Sequence, residues 1–190
     1  MFNFQIGKVN IDLTLLIAVI AIALIIVVVR ITSLNLACKN IFKSCISGQY
    51  DKVLLKAPKV LETYQDNAKI NPHKNIIAII ESLNLSLAIS YLATSNTDLF
   101  FEHINAVQSR KNDKHFWLSL HYLLQDDIDK ATEYYVLIEN CDETQNIIRL
   151  LDGIILFKRG DIENSNKELT ELMPKLKYAF LKETASQFIK

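Results

Sequence analysis

The feature that most constrains this chain is an apolar stretch near its N-terminal end. Between Asp12 and Arg30 there is no charged residue, and Thr14 carries the only hydroxyl group. As an α-helix, this stretch would be roughly 26 Å long at 1.5 Å per residue, close to the ~30 Å hydrocarbon core of a bilayer. Asp12 and Arg30 can reach the headgroups at its two ends. The sequence therefore predicts a short tail over residues 1–10 and a single transmembrane helix over residues 11–31.

Two other interpretations of the apolar stretch are a cleaved signal peptide and a lipoprotein signal. A signal peptide has a basic start and an apolar core of about 7–15 residues, whereas here the run is longer and only Lys8 precedes it. The sequence from Asn35 to Cys38 faintly resembles a lipid-attachment box, but Arg30 separates it from the apolar run. Length and flanking charge favour an uncleaved anchor.

Positive charge on the C-terminal side of the anchor predicts its orientation. Between residues 31 and 60 five lysines stand against the single acidic residue Asp51, which gives a local charge of +4. The positive-inside rule places this side in the cytoplasm, and lysines close to the surface are attracted to anionic headgroups. They can equally be the solvated faces of ordinary helices. The lysines are Lys39, Lys43, Lys52, Lys56 and Lys59.

The overall charge argues against a nucleic-acid partner. The chain has 21 basic and 21 acidic residues, whereas phosphate binding needs a basic stripe. Charge is nevertheless uneven, because residues 125–144 contain seven acidic side chains and only Lys130 as a base. The three cysteines have neither metal-ligand nor redox-motif spacing, which indicates reduced thiols in a reducing compartment.

Beyond the anchor, helix-like apolar periodicity is interrupted by four short polar or glycine-containing turns. Most of the turns are followed by an acidic residue suited to a helix N-terminus. The segments after the turns begin 47, 31 and 34 residues apart. The last two spacings are near the 34-residue period of one class of helical repeat. The turns lie at 47–51, 95–98, 125–129 and 159–163, and the equivalent points are Tyr50, Thr97, Ile128 and Ile162.

One of these segments carries a recognisable pattern. Leu118, Ser119 and Tyr122 place a large aliphatic, a small and an aromatic residue on one helix, and residues 127–131 supply a turn and the small Ala131. Residues 115–140 therefore resemble a tetratricopeptide repeat (TPR), in which small residues let two helices cross closely. The pattern departs from that family in the place of Trp117 and at two second-helix positions. Those two positions are Phe100 and Ser165, which replace the expected alanine. Weaker copies of the pattern contain Leu87, Ala88 and Tyr91; Gly153 with 160–162; and 48–50 with Val53.

The resemblance implies an all-α fold in which a TPR-like solenoid of helical hairpins covers residues 32–172. A final amphipathic segment, residues 173–190 after Pro174, suits a capping helix over the last apolar face. No glycine or proline lies between Gly7 and Gly48, so the anchor can continue unbroken into the first helix of the domain. The alternative is a break near Thr32 and Ser33, where Ser33 could cap a new helix.

Catalytic chemistry has little support in the sequence. The four histidines, at positions 73, 103, 115 and 121, contain no pair spaced i,i+4, and no cysteine lies beside them at metal-ligand spacing. The acidic residues at 126, 127 and 129 lack the glycine and terminal glutamate of a calcium loop. With four glycines in the chain, a phosphate-binding glycine loop is also absent. We expect no catalytic, metal or cofactor site, and no enzyme activity.

The resemblance implies instead a partner groove lined by first-helix side chains. These side chains are apolar here, so the groove would accept a hydrophobic peptide or an amphipathic helix. The family's carboxylate clamp needs Lys, Arg and Asn at such places, and none is present. The alternative is that the same side chains are buried between neighbouring helices. The nine candidates are Leu85, Ile89, Leu92, Phe116, Leu120, Leu123, Leu150, Ile154 and Phe157.

Together these patterns predict a single-pass membrane protein whose helical repeats act as a non-enzymatic scaffold or adaptor. Such a protein would hold an unidentified protein partner at the cytoplasmic membrane face, where the anchor raises the effective concentration. The alternative function is an extracytoplasmic accessory factor in membrane-protein biogenesis or translocation. Membrane topology distinguishes the two.

Overall fold

The computed structural model describes residues 3–6 and 9–190 of the chain. Its described residues form one antiparallel hairpin, nine α-helices and one 3₁₀ helix. In the hairpin, Asn3 lies opposite Asp12 and Ile6 opposite Val9. The elements are β1 (Asn3–Ile6), β2 (Val9–Asp12), α1 (Leu13–Ile46), α2 (Tyr50–Ile70), α3 (Lys74–Ala93), α4 (Thr97–Asn105), α5 (Lys111–Leu124), α6 (Ile128–Tyr135), α7 (Gln145–Lys158), α8 (Ile162–Leu172), the 3₁₀ helix (Met173–Lys175) and α9 (Ala179–Gln187).

The first helix differs in extent from the one predicted over residues 11–31. Ile11 and Asp12 belong to β2, and α1 begins at Leu13 and continues without interruption to Ile46. The break considered near Thr32 and Ser33 does not occur. Their hydroxyl groups bond to backbone carbonyls one turn earlier, at distances of 2.9 Å, so both are satisfied within the helix.

The chain divides into two compact units, Met1–Lys39 and Asn40–Lys190. In the first unit, every residue of α1 from 15 to 33 is exposed, and the large aliphatic side chains from Leu15 to Ile31 are 43–65% exposed. A helix that is apolar on all sides has no polar face to turn towards water. This segment is therefore long and apolar enough to span a membrane.

The second unit contains four helix–turn–helix hairpins that share one turn conformation. In each turn, the residue two positions before the second helix has a positive φ, between +59° and +88°. The next residue donates its N–H to the carbonyl five positions earlier, at 2.8–3.0 Å, as in a Schellman motif. The four turns predicted from the sequence are confirmed. The positive-φ residues are Gly48, Ser95, Asp126 and Gly160.

Small residues lie where paired helices approach most closely. The Ser119 hydroxyl on α5 donates to the carbonyl of Ala131 on α6 at 2.9 Å, and the Ser165 hydroxyl on α8 donates to the carbonyl of Gly153 on α7 at 2.8 Å. Both pairs are twelve residues apart and buried. Because the serine side chain is short, the two helix backbones can come close enough for its hydroxyl to bond the facing carbonyl. Ser119, Ala131 and Gly153 are among the small residues on which the TPR resemblance rests, whereas Ser165 stands where that family has a second-helix alanine.

The core of the second unit is built from the first helices of the hairpins. The helix α3 packs against α2 and α4, and α5 packs against α6 and also contacts α3 and α7. The last pair is α7 with α8. Residues 83–90 of α3 are all buried, which explains why this helix is apolar around most of its circumference.

The C-terminal segment contacts elements from both ends of the second unit. Tyr178 and Phe180 pack on Trp117 of α5, with ring centroids 5.7 and 6.2 Å away. The backbone of Lys190 exchanges two hydrogen bonds, of 2.8 and 2.9 Å, with the side chain of Asn166. The segment consists of the 3₁₀ helix, an extended stretch and α9. Its contacts with α5 and α8 show that it packs on more than the last hairpin.

We expect Gly153→Ala to destabilise the protein by about 1–3 kcal/mol, as overpacking of a filled core does. A Cβ at Gly153 would lie 2.5 Å from Cδ2 and 2.8 Å from Cγ of the fully buried Leu169. Urea unfolding of the full chain in detergent, followed by near-ultraviolet circular dichroism, measures the change. In the double variant with Leu169→Ala, the two effects should be less than additive, because the clash is removed. Full additivity would contradict the close approach.

Candidate functional site

The nine side chains predicted to line a groove lie mostly inside the second unit. Seven of them are at most 3% exposed, and only Leu92 and Phe157 are half-buried. In this structure the seven therefore contribute to the core between helices, which is the alternative that the sequence left open. The buried seven are Leu85, Ile89, Phe116, Leu120, Leu123, Leu150 and Ile154.

An open cleft of about 640 Å³ lies elsewhere, beside the starts of α5 and α7. The loop between α6 and α7 forms one wall, and the segment from Lys175 to Tyr178 forms another. Phe116, Trp117 and Leu181 lie beneath the cleft. Among the predicted groove residues, only Phe116 belongs to this lining.

The charges of the cleft are divided between its walls. The α6–α7 loop contributes three exposed acidic side chains, Glu139, Asp142 and Glu143. Exposed lysines come from the start of α5 and from the C-terminal segment, at Lys111, Lys175 and Lys177. Within the described part of the chain, none of these six side chains takes part in an ion pair. The cleft therefore presents acidic and basic side chains to solvent that are outside any ion pair, beside the paired Arg110 and Asp113 that also line it.

The acidic wall, defined as Glu139 to Thr144, is held in place by hydrogen bonds of its own residues. The buried Thr144 hydroxyl lies 2.6 Å from the Glu139 carbonyl oxygen, to which it donates, and accepts a 3.0 Å bond from the Cys141 N–H. The Glu139 N–H donates to Asn112 Oδ1 at 3.1 Å, which ties the wall to the start of α5. Because these bonds satisfy the loop backbone internally, the acidic side chains remain available to solvent.

The basic wall, defined as Lys175 to Tyr178, begins at the end of the 3₁₀ helix and is extended at Leu176 and Tyr178, where ψ is 132° and 134°. Alternate side chains of an extended segment point to opposite sides. Leu176 is accordingly buried and Tyr178 packs edge-on against Trp117, while Lys177 between them is exposed. Burial raises the pKa of the Tyr178 hydroxyl to about 12, so it stays protonated in the physiological range.

Behind the cleft, Glu81 of α3 organises the connection into α5. Its carboxylate accepts hydrogen bonds from the backbone N–H groups of Gln108 and Ser109 at 3.0 and 2.8 Å, and from the Ser109 hydroxyl. Arg110 donates to Asp113 at 2.8 Å and to the Ser82 hydroxyl at 3.1 Å. Burial disfavours the ionised form of Glu81, but the bonds from Ser109 and Gln108 outweigh it and lower the pKa of this carboxyl.

Two histidines, the buried His121 and the half-buried His103, have structural surroundings. His121 lies against Phe100 and Phe101, both at 5.0 Å, and burial lowers the pKa of its imidazole. His103 stacks on Tyr91, and its Nδ1 lies 2.9 Å from Asn84 Oδ1. Burial lowers the pKa of His103 as well. Both rings are therefore neutral at neutral pH. No group of three or more metal-ligating side chains occurs in the described residues.

Leu120→Glu distinguishes a groove from a core. Because Leu120 has no exposed surface, we expect the variant to unfold, since an unpaired carboxylate inside an apolar core is strongly destabilising. The matched control is Leu137→Glu at a leucine that is 53% exposed, which should change the urea midpoint little. A Leu120→Glu protein that stays folded would support the groove instead.

Glu81→Ala should destabilise the protein by about 1.5–3 kcal/mol, because it removes a buried carboxylate that accepts three hydrogen bonds. The stabilisation from this carboxylate is complete above its ordinary pKa of 4.5. It is lost as the pH falls through the lowered folded-state value. The stability difference between wild type and variant should therefore be constant above about pH 5 and shrink below pH 4.5. The exposed Glu62→Ala is the control, and equal effects of the two substitutions would contradict this role.

Comparison of the chain with protein families, with curated proteins and with solved structures finds no match. Inferences about function therefore depend on the apolar helix, the helical hairpins and the charged cleft.

Proposed function

We propose that the chain is a single-pass membrane protein whose helical unit is a TPR-like adaptor. The anchor holds this unit at the cytoplasmic face of the membrane, where it binds a segment of another protein without catalysing a reaction. The observation that carries the proposal is the combination, in one chain, of an apolar helix exposed on all sides and a set of helical hairpins with a charged open cleft.

The exposure of α1 supports the anchor. Unfavourable contact of water with the sixteen exposed aliphatic residues between positions 15 and 31 would oppose solubility, whereas a bilayer accepts them. The helix α3 also passes a test of length and hydropathy, but half of its apolar window is buried inside the second unit. Its composition is therefore explained by the core, and α1 remains the candidate span within the described residues.

The geometry of the hairpins supports the TPR-like interpretation. The hairpins share one turn conformation, and two of them share a serine-to-backbone bond across a twelve-residue separation. Repeats of this kind stack their first helices and offer extended surfaces to partner proteins. The excess of lysine between residues 31 and 60 supports cytoplasmic orientation.

Membrane fractionation tests the anchor. The wild-type protein should stay in the pellet during alkaline carbonate extraction. Ile22→Lys combined with Ile26→Lys should release it, because each lysine costs about 2.5–3.5 kcal/mol at the centre of a spanning helix. Leu55→Lys with Ile70→Lys is the matched control at exposed aliphatic residues of the second unit, and it should remain in the pellet. Release of the wild-type protein would exclude an integral anchor.

Protease protection of a C-terminally tagged chain in intact cells tests the orientation. We expect the tag to be cut only after the membrane is opened, because the lysines retain this side in the cytoplasm. Cleavage from outside would overturn the cytoplasmic orientation and favour the extracytoplasmic accessory function.

A further inference from the structure

We infer that the charged cleft beside the starts of α5 and α7 binds an extended peptide segment of mixed charge. The segment would carry basic residues for the acidic wall, acidic residues for the basic wall, and an apolar side chain between them. This inference rests on the proposed adaptor function and specifies where and by what chemistry the partner binds.

Charge complementarity identifies the occupant. Three acidic side chains of the α6–α7 loop and three lysines of the lining are outside any ion pair in the described chain, whereas Arg110 and Asp113, which also line the cleft, pair with each other. A polyanion such as nucleic acid would be repelled by the acidic wall, and a polycation by the lysines. A segment that carries both charges can match both walls in one orientation, which gives specificity and register.

The lining supplies a place for the apolar side chain. Ile147 and Tyr178 are half-buried at the cleft surface, above the buried Trp117 and Leu176. Their remaining exposed surface would be covered by an aliphatic or aromatic residue of the peptide. The volume of about 640 Å³ falls within the ~300–1,000 Å³ of typical ligand sites.

Both walls are ordered before any peptide arrives. Thr144 and Asn112 hold the acidic wall through three hydrogen bonds, and Leu176 and Tyr178 pin the basic wall to the core. A preformed site loses less conformational freedom on binding, so weak rim charges can still contribute to affinity. The cleft therefore differs from a loop surface that must be ordered by its ligand.

The experiment is selection of a random dodecapeptide library, displayed on phage, against the full chain in phosphatidylcholine nanodiscs. An enriched peptide is then synthesised, and its affinity is measured by calorimetry at low and high salt. We expect enriched peptides to carry both charges around an apolar residue and to bind more weakly at high salt.

Charge reversal then locates the binding site. Lys175→Glu with Lys177→Glu, and separately Glu139→Lys with Asp142→Lys, should each weaken binding at least tenfold. The control, Lys167→Glu with Lys182→Glu, has the same charge change at exposed lysines outside the cleft and should change affinity less than twofold. Replacing the acidic residues of the peptide by lysine should restore binding to the first variant. The substituted residues are exposed, and circular dichroism verifies that each variant folds.

Failure of this inference is distinguishable from failure of the adaptor function. Three results would overturn the assignment of the cleft. They are no enrichment, enrichment of peptides with a single charge sign, and a peptide affinity that neither charge reversal changes. If enriched peptides bind both charge-reversal variants with wild-type affinity, the adaptor function still holds and the binding site lies elsewhere. Loss of the membrane anchor or of cytoplasmic orientation is measured separately and does not bear on the cleft.

Discussion

The helical hairpins of the second unit depend on one backbone conformation, the left-handed residue that ends each first helix. Only this conformation lets the following N–H reach back five residues and reverse the chain within three residues. Gly48 and Gly160 adopt it without steric penalty, whereas Ser95 and Asp126 do so at a cost of about 1–2 kcal/mol each. Packing of the two helices on either side must offset that cost. The turn therefore determines where each second helix begins, and with it the positions of the loops.

The loops between hairpins form the charged cleft together with the starts of α5 and α7. The α6–α7 loop is shaped by Thr144, and the connection into α5 is shaped by Glu81 and Arg110. In each case a side chain satisfies backbone groups that no helix can pair. Because these polar side chains satisfy the loop backbone, the charged side chains of the two walls remain exposed to solvent. The charged part of the candidate binding surface thus lies largely on loops, as in many proteins that carry function there, while core residues such as Trp117 line its floor.

The two units have opposite relations to solvent. From residue 15 to 33 of α1 every side chain is exposed and most are aliphatic, whereas in α3 a comparable apolar content is covered by α2 and α4. Composition alone would assign both helices to the same class. Burial separates them, because only α3 has neighbours that remove its apolar surface from water. The exposed segment of α1 is long and apolar enough to span a membrane.

By itself the sequence determined the apolar run, the helical character beyond it and the positions of the four turns. Each of these depends on residues close in the chain: aliphatic content, a glycine, or an acceptor such as Asp127 or Asp161 that bonds an amide three residues later. It could not decide whether Thr32 and Ser33 break a helix, because their hydroxyls can either cap a helix or bond back within one.

Tertiary structure alone decided the fate of the groove residues and the existence of the cleft. Leu120 and Ile154 have the same periodicity whether they face a partner or a neighbouring helix, and only packing buries them. The acidic excess between residues 125 and 144 was visible in the sequence, but Asp126 pairs with Lys158 and Asp127 with Lys130, whereas Glu139 forms no ion pair among the described residues. Lys177 reaches the same cleft from a segment more than thirty residues away. Whether residues far apart in the sequence lie in the same cleft depends on contacts between distant elements, which the local sequence pattern does not encode.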